Sequence, residues 1–263
     1  MHRYAKLTAI ATFLLLIAGG LVTSTDSGLA VPDWPLSYGM FFPPMVGGIA
    51  YEHGHRMIAA LVGVMILALA LWLCVAESRP WVRRLGYAAL IAVAIQALLG
   101  GLTVRLMLPP AVSIAHACLG QTVFCLIVAV AYATSPSFEQ RSDGGAATLQ
   151  PLGMVVAALA AAQLLLGAMI RHTGYGVMWH LSGAGALLAA LIVLSVRAKR
   201  VAGRTAPWFR HIRRLHALVG SQILIGLLVY THRASVPLRT AHVALGALVL
   251  AQSVILAWDL HRS

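Results

Sequence analysis

The sequence predicts an all-α integral membrane protein, with eight transmembrane helices arranged as two pseudo-symmetric four-helix bundles. Composition, the spacing of the apolar runs and an internal repeat each point to it. Of the 263 residues, 60% are hydrophobic and only 10% are charged, whereas a water-soluble domain carries about a quarter of its residues as charges. That composition excludes an ordinary soluble globule. A membrane span needs roughly 20 apolar residues, so a chain of this length holds about eight.

The first four runs cover about residues 7–25, 52–76, 84–105 and 111–134. Four more follow at about 151–170, 176–196, 211–231 and 239–258. In hydrocarbon every backbone N–H and C=O must find a partner inside the segment, so each run is expected to be a helix. A cleavable leader formed by residues 2–22 is disfavoured, because the repeat needs this first helix as the partner of a later one. Residues 1–134 form an N-terminal half, 135–150 a Ser, Gly and Asp-rich linker, and 151–263 a C-terminal half. Residues 26–51 carry Pro32-Asp33-Trp34-Pro35 and Pro43-Pro44 and form a long loop, the kind of segment that usually serves function.

The formal charge of +12 is mostly an orientation signal. Fourteen of the 19 Lys and Arg residues fall on one side if the N-terminus is inside, leaving Arg56, Arg105, Arg171, Arg233 and Arg239 outside. This bias puts both termini on the inner side, the cytoplasm for the expected location in the inner membrane of a prokaryotic cell. The basic side meets anionic lipid headgroups and not nucleic acid. Cys74, Cys118 and Cys125 lie in apolar runs without metal-ligand spacing and read as packing residues.

The halves superpose under an offset of about 126 residues. Arg83-Arg84-Leu85 answers Arg213-Arg214-Leu215, and Gln96 with Gly100 answers Gln222 with Gly226. His116 and His242 each follow their glutamine by 20 residues, and His55 matches His180 at an offset of 125. Each half thus carries one histidine near the start of its second helix and one near the start of its fourth. Those helices run in the same direction, so each pair lies at one depth, where two imidazoles can clamp a flat metal macrocycle. Packing histidines are the alternative for any one position, but intramembrane ionisable groups are rare and read as functional. His2, His211 and His261 fall at inner ends and His53, His172 and His232 at outer ends, where interfacial solvation suffices. His216 has no counterpart, since Leu90 holds its place, and reads as structural.

The repeat breaks at Glu52. This carboxylate lies one turn before His55, on the same helical face, whereas Val177 precedes His180. Arg56 is answered by Leu181, and the long loop has no equivalent in the second half. The first half therefore has the parts for chemistry, and the second those for a permanently held group. A helix-start Glu52 paired with Arg56 is the structural alternative.

Gly19-Gly20-Leu21-Val22-Thr23-Ser24-Thr25, Ser27-Gly28-Leu29-Ala30, Pro32-Asp33-Trp34-Pro35-Leu36 and Glu52-His53-Gly54-His55-Arg56 together resemble the haem A synthase family. The resemblance spans the chain. It implies an oxidoreductase that converts the C8 methyl group of haem O to a formyl group, giving haem A for a terminal oxidase. By the same resemblance, His55 and His116 would hold the substrate haem, Glu52 would act in the oxidation, and His180 and His242 would ligate a haem b cofactor. Arg56, Arg105, Arg233 and Arg239 are candidate partners for haem propionates, with headgroup contact as the alternative for each. The resemblance further implies transient contact with a haem O synthase; a homo-oligomer is left open. Val31 and Ser37 stand where many members carry a loop cysteine pair, and Asp26 where glycine is common. A non-enzymatic di-haem electron-transfer cytochrome would use the same four histidines, but it explains Glu52 and the loop poorly. A transporter with histidine proton relays would want an inverted repeat, and this one is parallel.

Overall fold

The computed structural model describes residues 1–139, 146–202, 206 and 208–262. Its first four long helices are α1 (His2–Ser24), α2 (Gly47–Ala76), α3 (Pro80–Arg105) and α4 (Pro110–Ala133). The next four are α5 (Gln150–Thr173), α6 (Val177–Ala202), α7 (Phe209–Thr231) and α8 (Val236–Arg262). All eight are long and apolar enough to cross a bilayer, and the protein is a multi-pass membrane protein. The sequence marks their boundaries. Prolines open α3 and α4 in the first turn, where a missing N–H costs nothing. Gly174, at φ 77°, closes α5 in the left-handed conformation.

Seven of the eight helices begin earlier than their apolar runs, and α6 begins one residue later. Most notably, α2 starts at Gly47, so the connecting loop spans 25–46 and not 26–51. Pro43 and Pro44 bar helix up to that point, and Gly47 takes a positive φ of 51° at the turn into α2. The ends of the expected linker are helical: a short turn at Pro136–Glu139 and a 3-10 turn at Ala146–Leu149 flank residues 140–145, which lie outside the described residues. Arg141 and Arg204, counted in the charge bias, lie outside them as well.

Within the first half, α1 and α3 each pack against both α2 and α4, whose backbones stay apart across the ring. Within the second, α5 and α7 each pack against both α6 and α8, whose backbones stay apart across the ring. The histidine-bearing helices of each half are therefore diagonal across a ring of four. The rings join through α1 on α8 and through α4 on α5 and α8. Large side chains fill each ring away from the 25–46 loop. Val62, Ile66, Leu69, Leu73 and Ile127 build the first core, and Leu191, Leu194, Ile212, Leu215, Leu256 and Leu260 the second. Phe124 with Ala247 and Ala251 seals the seam between rings.

The end of the molecule opposite the loop carries a polar seam. Tyr132 donates to Asp259, whose other oxygen meets His211 Nε2 at 3.2 Å, and His211 Nδ1 faces Gln252 Nε2 at 2.9 Å. His211 is only 4% exposed, so protein partners, not interfacial water, satisfy it, contrary to the sequence-based expectation. Its neighbours α4 and α8 bring polar groups that no linear pattern announces. His216 bonds to the Ile212 carbonyl through Nδ1 at 3.0 Å, within its own helix, as expected of a structural residue. Cys125 packs against both the second core and the seam, while Cys74 is exposed on the outside of α2.

Candidate functional site

Antiparallel neighbours bring the ends of odd helices level with the beginnings of even ones. Near the loop face, each of α1, α3, α5 and α7 carries a glycine five or six residues before its end: Gly19, Gly100, Gly167 and Gly226. Each glycine receives the ring of one histidine on the next helix. A Cβ at Gly19 would stand 3.1 Å from His55 Cε1, and one at Gly100 would stand 3.2 Å from His116 Cε1. The matching distances are 3.4 Å from Gly167 to His180 and 2.9 Å from Gly226 to His242. The four sequence-predicted histidines thus occupy four like-built cradles, each of which a larger residue would fill. Each ring also lies within electrostatic reach of the backbone carbonyl four residues before its glycine, at Leu15, Gln96, Gln163 and Gln222. Such a carbonyl is the usual second-shell partner that orients a metal-ligating imidazole.

The cradle geometry makes a direct prediction. Gly226→Val should drive the His242 ring out of position, because a Cβ there is already closer than real side chains approach. The expected outcome is weaker absorbance from added haem bound at the second ring, with the helical content by circular dichroism unchanged.

His180 and His242 face each other across the second ring with centroids 6.2 Å apart and planes at 70°. An imidazole nitrogen sits about 2 Å from a transition metal and about 1 Å from its ring centroid, so two rings on opposite sides of one ion have centroids roughly 6 Å apart. The pair fits a bis-imidazole iron porphyrin. His55 and His116 hold the equivalent corners of the first ring, on α2 and α4, and lie within electrostatic reach of one another. The Nδ1 atoms of His55, His116 and His242 are buried without a formed hydrogen bond, as expected of rings kept for a ligand that orders them.

The first ring is roofed by the 25–46 loop. Glu52, 4% exposed, pairs with Arg56 Nη2 at 2.6 Å and accepts the Val31 N–H at 2.8 Å through its other oxygen. Arg56 Nη1 then donates to the Asp33 and Leu36 carbonyls at 2.8 Å each. The Glu52–Arg56 pairing that the structural alternative required is therefore formed, and it pins the loop one turn outward of His55. Trp34 covers α3 at Gly101, where a Cβ would stand 2.7 Å from the indole. His53, expected at a solvated helix end, is instead 7% exposed and bonded to Ser37 Oγ at 2.8 Å. The loop that buries it could not be placed from sequence. The remaining outer histidines are ordinary: His172 is half-buried and His232 is exposed beside Thr231.

Asp33 folds the loop on itself, accepting the Tyr38 N–H at 2.7 Å and the Gly39 N–H at 2.8 Å. These donors, Gly39 first, hold its carboxyl below the usual 3.8. A carboxyl whose folded value is depressed stabilises the fold above its unfolded value and loses that effect as pH falls through the folded one. Acidification below about pH 3.8 should accordingly loosen the loop. Amide hydrogen exchange at Tyr38 and Gly39 is expected to quicken there, and Asp33→Asn should remove the pH dependence.

Of the four arginines predicted to meet propionates, Arg56 is engaged by the loop, Arg105 reaches the Trp34 carbonyl at 3.4 Å, and Arg233 lies over the Tyr230 ring at 5.0 Å. Arg239 stands one turn outward of His242, donates to the Ser24 carbonyl, and keeps a buried Nε without a partner. Beside it, Arg171 bonds to Ser24 Oγ at 2.7 Å. Sequence reasoning left Arg171 out of the site. Its position four residues after Gly167, on the face that meets His180, was the available signal.

The fold and site define a class: an eight-span membrane protein that presents two diagonal histidine pairs, one beneath a loop pinned by a buried ion pair. A family model described as Cytochrome oxidase assembly protein, COX15-CtaA, matches residues 49–179. The Heme A synthase of Symbiobacterium thermophilum is 33% identical over 184 residues, covering 65% of this chain and 60% of that protein. That of Exiguobacterium sp. is 35% identical over 108 residues, covering 38% and 36%. That of Shewanella oneidensis is 26% identical over 180 residues, covering 62% and 54%. Over these stretches the chain is similar to the COX15-CtaA family and to haem A synthases. Its matched stretches span from about a third to 60% of the length of these relatives.

Proposed function

We propose that this protein is a haem A synthase that oxidises the C8 methyl group of haem O to a formyl group, supplying haem A to a terminal oxidase. The observation that carries the reading is the set of four glycine-backed histidines, one diagonal pair in each ring, with 6.2 Å between the His180 and His242 centroids. In this reading His55 and His116 hold haem O in the first ring, and His180 and His242 hold haem b in the second. When bound, haem b would supply one-electron redox chemistry. Methyl to formyl is a loss of four electrons and four protons with the gain of one oxygen atom, which water balances. The electrons pass to an acceptor of the respiratory-chain class.

The chain's own residues divide the remaining work. His55 and His116 fix the plane of the substrate, and the loop pinned by Glu52 and Arg56 excludes bulk water from it. Glu52 is the carboxylate nearest in sequence to the substrate ligands and takes up a proton as the methyl carbon is oxidised. Arg239, with its unused buried donor, and Arg171 hold propionate carboxylates of the second ring's haem. Arg56, Arg105 and Arg233 keep the loop and the outer surface in place. Residues 1–134 serve as the substrate unit and 151–263 as the cofactor unit, with the termini cytoplasmic, and haem O arrives from a haem O synthase in the same membrane.

Co-expression with a haem O source, followed by chromatography of the extracted haems, tests the reading. Appearance of haem A is the expected result. Cells that accumulate haem O alone, with the protein present in the membrane, would contradict it.

A further inference from the structure

The two rings differ along one edge, formed by α2 with α3 in the first ring and by α6 with α7 in the second. In the second ring α6 and α7 are the neighbours that meet least closely. They meet in the inner half, where Ser195 Oγ stands 3.4 Å from His216 Nε2 and Leu191 and Leu194 share the core with Ile212 and Leu215. From Ser195 outward, Leu188 and Leu181 continue the same face of α6 at steps of seven residues, and Ile223 and Tyr230 continue that of α7 from His216. Each step climbs about 10 Å. The outermost pair does not close: Leu181 is 56% exposed and Tyr230 is 55% exposed. Ile223 is exposed as well, and a Cβ at Gly220, one turn outward of His216, would meet no atom within 4 Å among the described residues. The repeat places Arg56 and Val104 at the positions of Leu181 and Tyr230, and there the first ring is shut. Val104 is 7% exposed, Arg56 is held by the loop carbonyls, and Trp34 lies on Gly101, whose place in the second ring belongs to the exposed Leu227.

We infer that the α6–α7 edge is a lateral entrance, through which protohaem passes from the leaflet on the loop side to His180 and His242. The inference rests on the reading of that pair as a haem site. His180 lies in the first turn of α6, and Gly226, which receives His242, lies five residues before the end of α7, so the pair stands level with the outer two steps of the edge. The edge faces lipid, because the first half packs on α5 and α8, which form the opposite edge of the ring. Exposed Tyr175, Trp179 and Tyr230 set its outer end at the level of the headgroups, where aromatic rings with a polar tip collect. A porphyrin is apolar over most of its rim and carries its carboxylates on one side, so it rests in that same layer before it enters. Arg171 and Arg239 stand on α5 and α8, across the ring from the opening. They draw the carboxylates inward and leave an apolar rim against Leu181, Ile223 and Leu227. The matching edge of the first ring gives no such passage, since Trp34 and Arg56 close it.

The rate of haem uptake tests the entrance. The full chain carries His55→Ala with His116→Ala, so that only the second site loads, and Cys74→Ala, Cys118→Ala and Cys125→Ala, so that added thiols are the only ones. Leu181→Cys with Tyr230→Cys then allows α6 to be stapled to α7 by a short bismaleimide. The protein is reconstituted without haem in phosphatidylcholine vesicles, mixed with vesicles that carry protohaem, and followed by growth of the Soret band. The staple should slow uptake at least about tenfold, as closing a gate does. A staple made after loading should slow transfer of the haem to apomyoglobin alike, with the position of the Soret band unchanged. The same protein without the reagent is the control for folding, and Leu188→Cys with Ile223→Cys carries the test should the first pair not reach the membrane. A staple between Ser195→Cys and His216→Cys, where the helices already meet, should leave the rate as it was. Uptake as fast with the outer staple as without it, or slowed as much by the inner one, would overturn the inference. Absence of a Soret band in the unstapled protein would instead remove the haem-site reading beneath it.

Discussion

Protein carrying His180→Ala with His242→Ala is expected to lose all haem from the second ring and all haem A formation, while remaining an eight-helix membrane protein. The rings of these residues are 6.2 Å apart and lie against Gly167 and Gly226, and the second ring offers the porphyrin no other histidine pair at that level. The large apolar residues that hold α5 to α8 together, from Leu191 to Leu260, lie toward the other end of the helices. Removing two imidazoles therefore takes away ligands without creating a cavity in that core. Quantitative haem extraction and circular dichroism separate the two effects. The companion substitution, His55→Ala with His116→Ala, should leave the second ring's haem in place and still abolish product, because only the substrate loses its ligands. A double variant at either pair that kept its full complement of haem would mean that iron is held elsewhere.

Glu52→Gln is expected to lower haem A formation by about 10²- to 10⁴-fold, the range typical of losing a general base, with haem retained in the second ring. Glutamine keeps the shape of the side chain and an oxygen for the Val31 N–H, but it cannot form the ion pair with Arg56. The Arg56→Lys variant supplies the comparison. It preserves a cation beside Glu52 but cannot reproduce the fork that reaches both the Asp33 and Leu36 carbonyls. If Glu52 accepts a proton, Glu52→Gln is severe and Arg56→Lys mild. If the carboxylate only pins the loop, the two variants fall together, and product formation by Glu52→Gln within a few-fold of the parent protein would remove Glu52 from the chemistry.

The helices were legible because hydrocarbon leaves few choices. A run of apolar residues must satisfy its backbone internally, so eight runs gave eight helices, and prolines and glycines marked the boundaries of α3, α4 and α5. What the runs did not show is how far helices continue past the apolar stretch. His2, five residues ahead of the first run, is helical with a partner on another segment, the Ala131 carbonyl. Such partners come from packing, and a linear pattern cannot report them. The same reason hid the burial of His53 and His211, which looked like residues at wetted helix ends.

At the candidate site, the spacing of the four histidines was plain in the sequence because the repeat writes it twice. The glycine cradle was only half visible. Gly100 and Gly226 emerged as matched positions, whereas Gly19 and Gly167 acquire meaning once antiparallel helices set them against His55 and His180. Gln163 was legible in principle, since its distance to Gly167 repeats that of Gln96 to Gly100. Arg171 was missed because a basic residue at a helix end reads first as a headgroup contact, and only its bond to Ser24 on α1 brings it into the seam.

Low-temperature electron paramagnetic resonance of the oxidised, purified protein tests most directly whether two histidines grip each iron. A low-spin signal of the bis-imidazole type, diminished by alanine at either pair, is the predicted spectrum. A high-spin axial signal, or protein without iron porphyrin after growth with ample haem, would contradict the account.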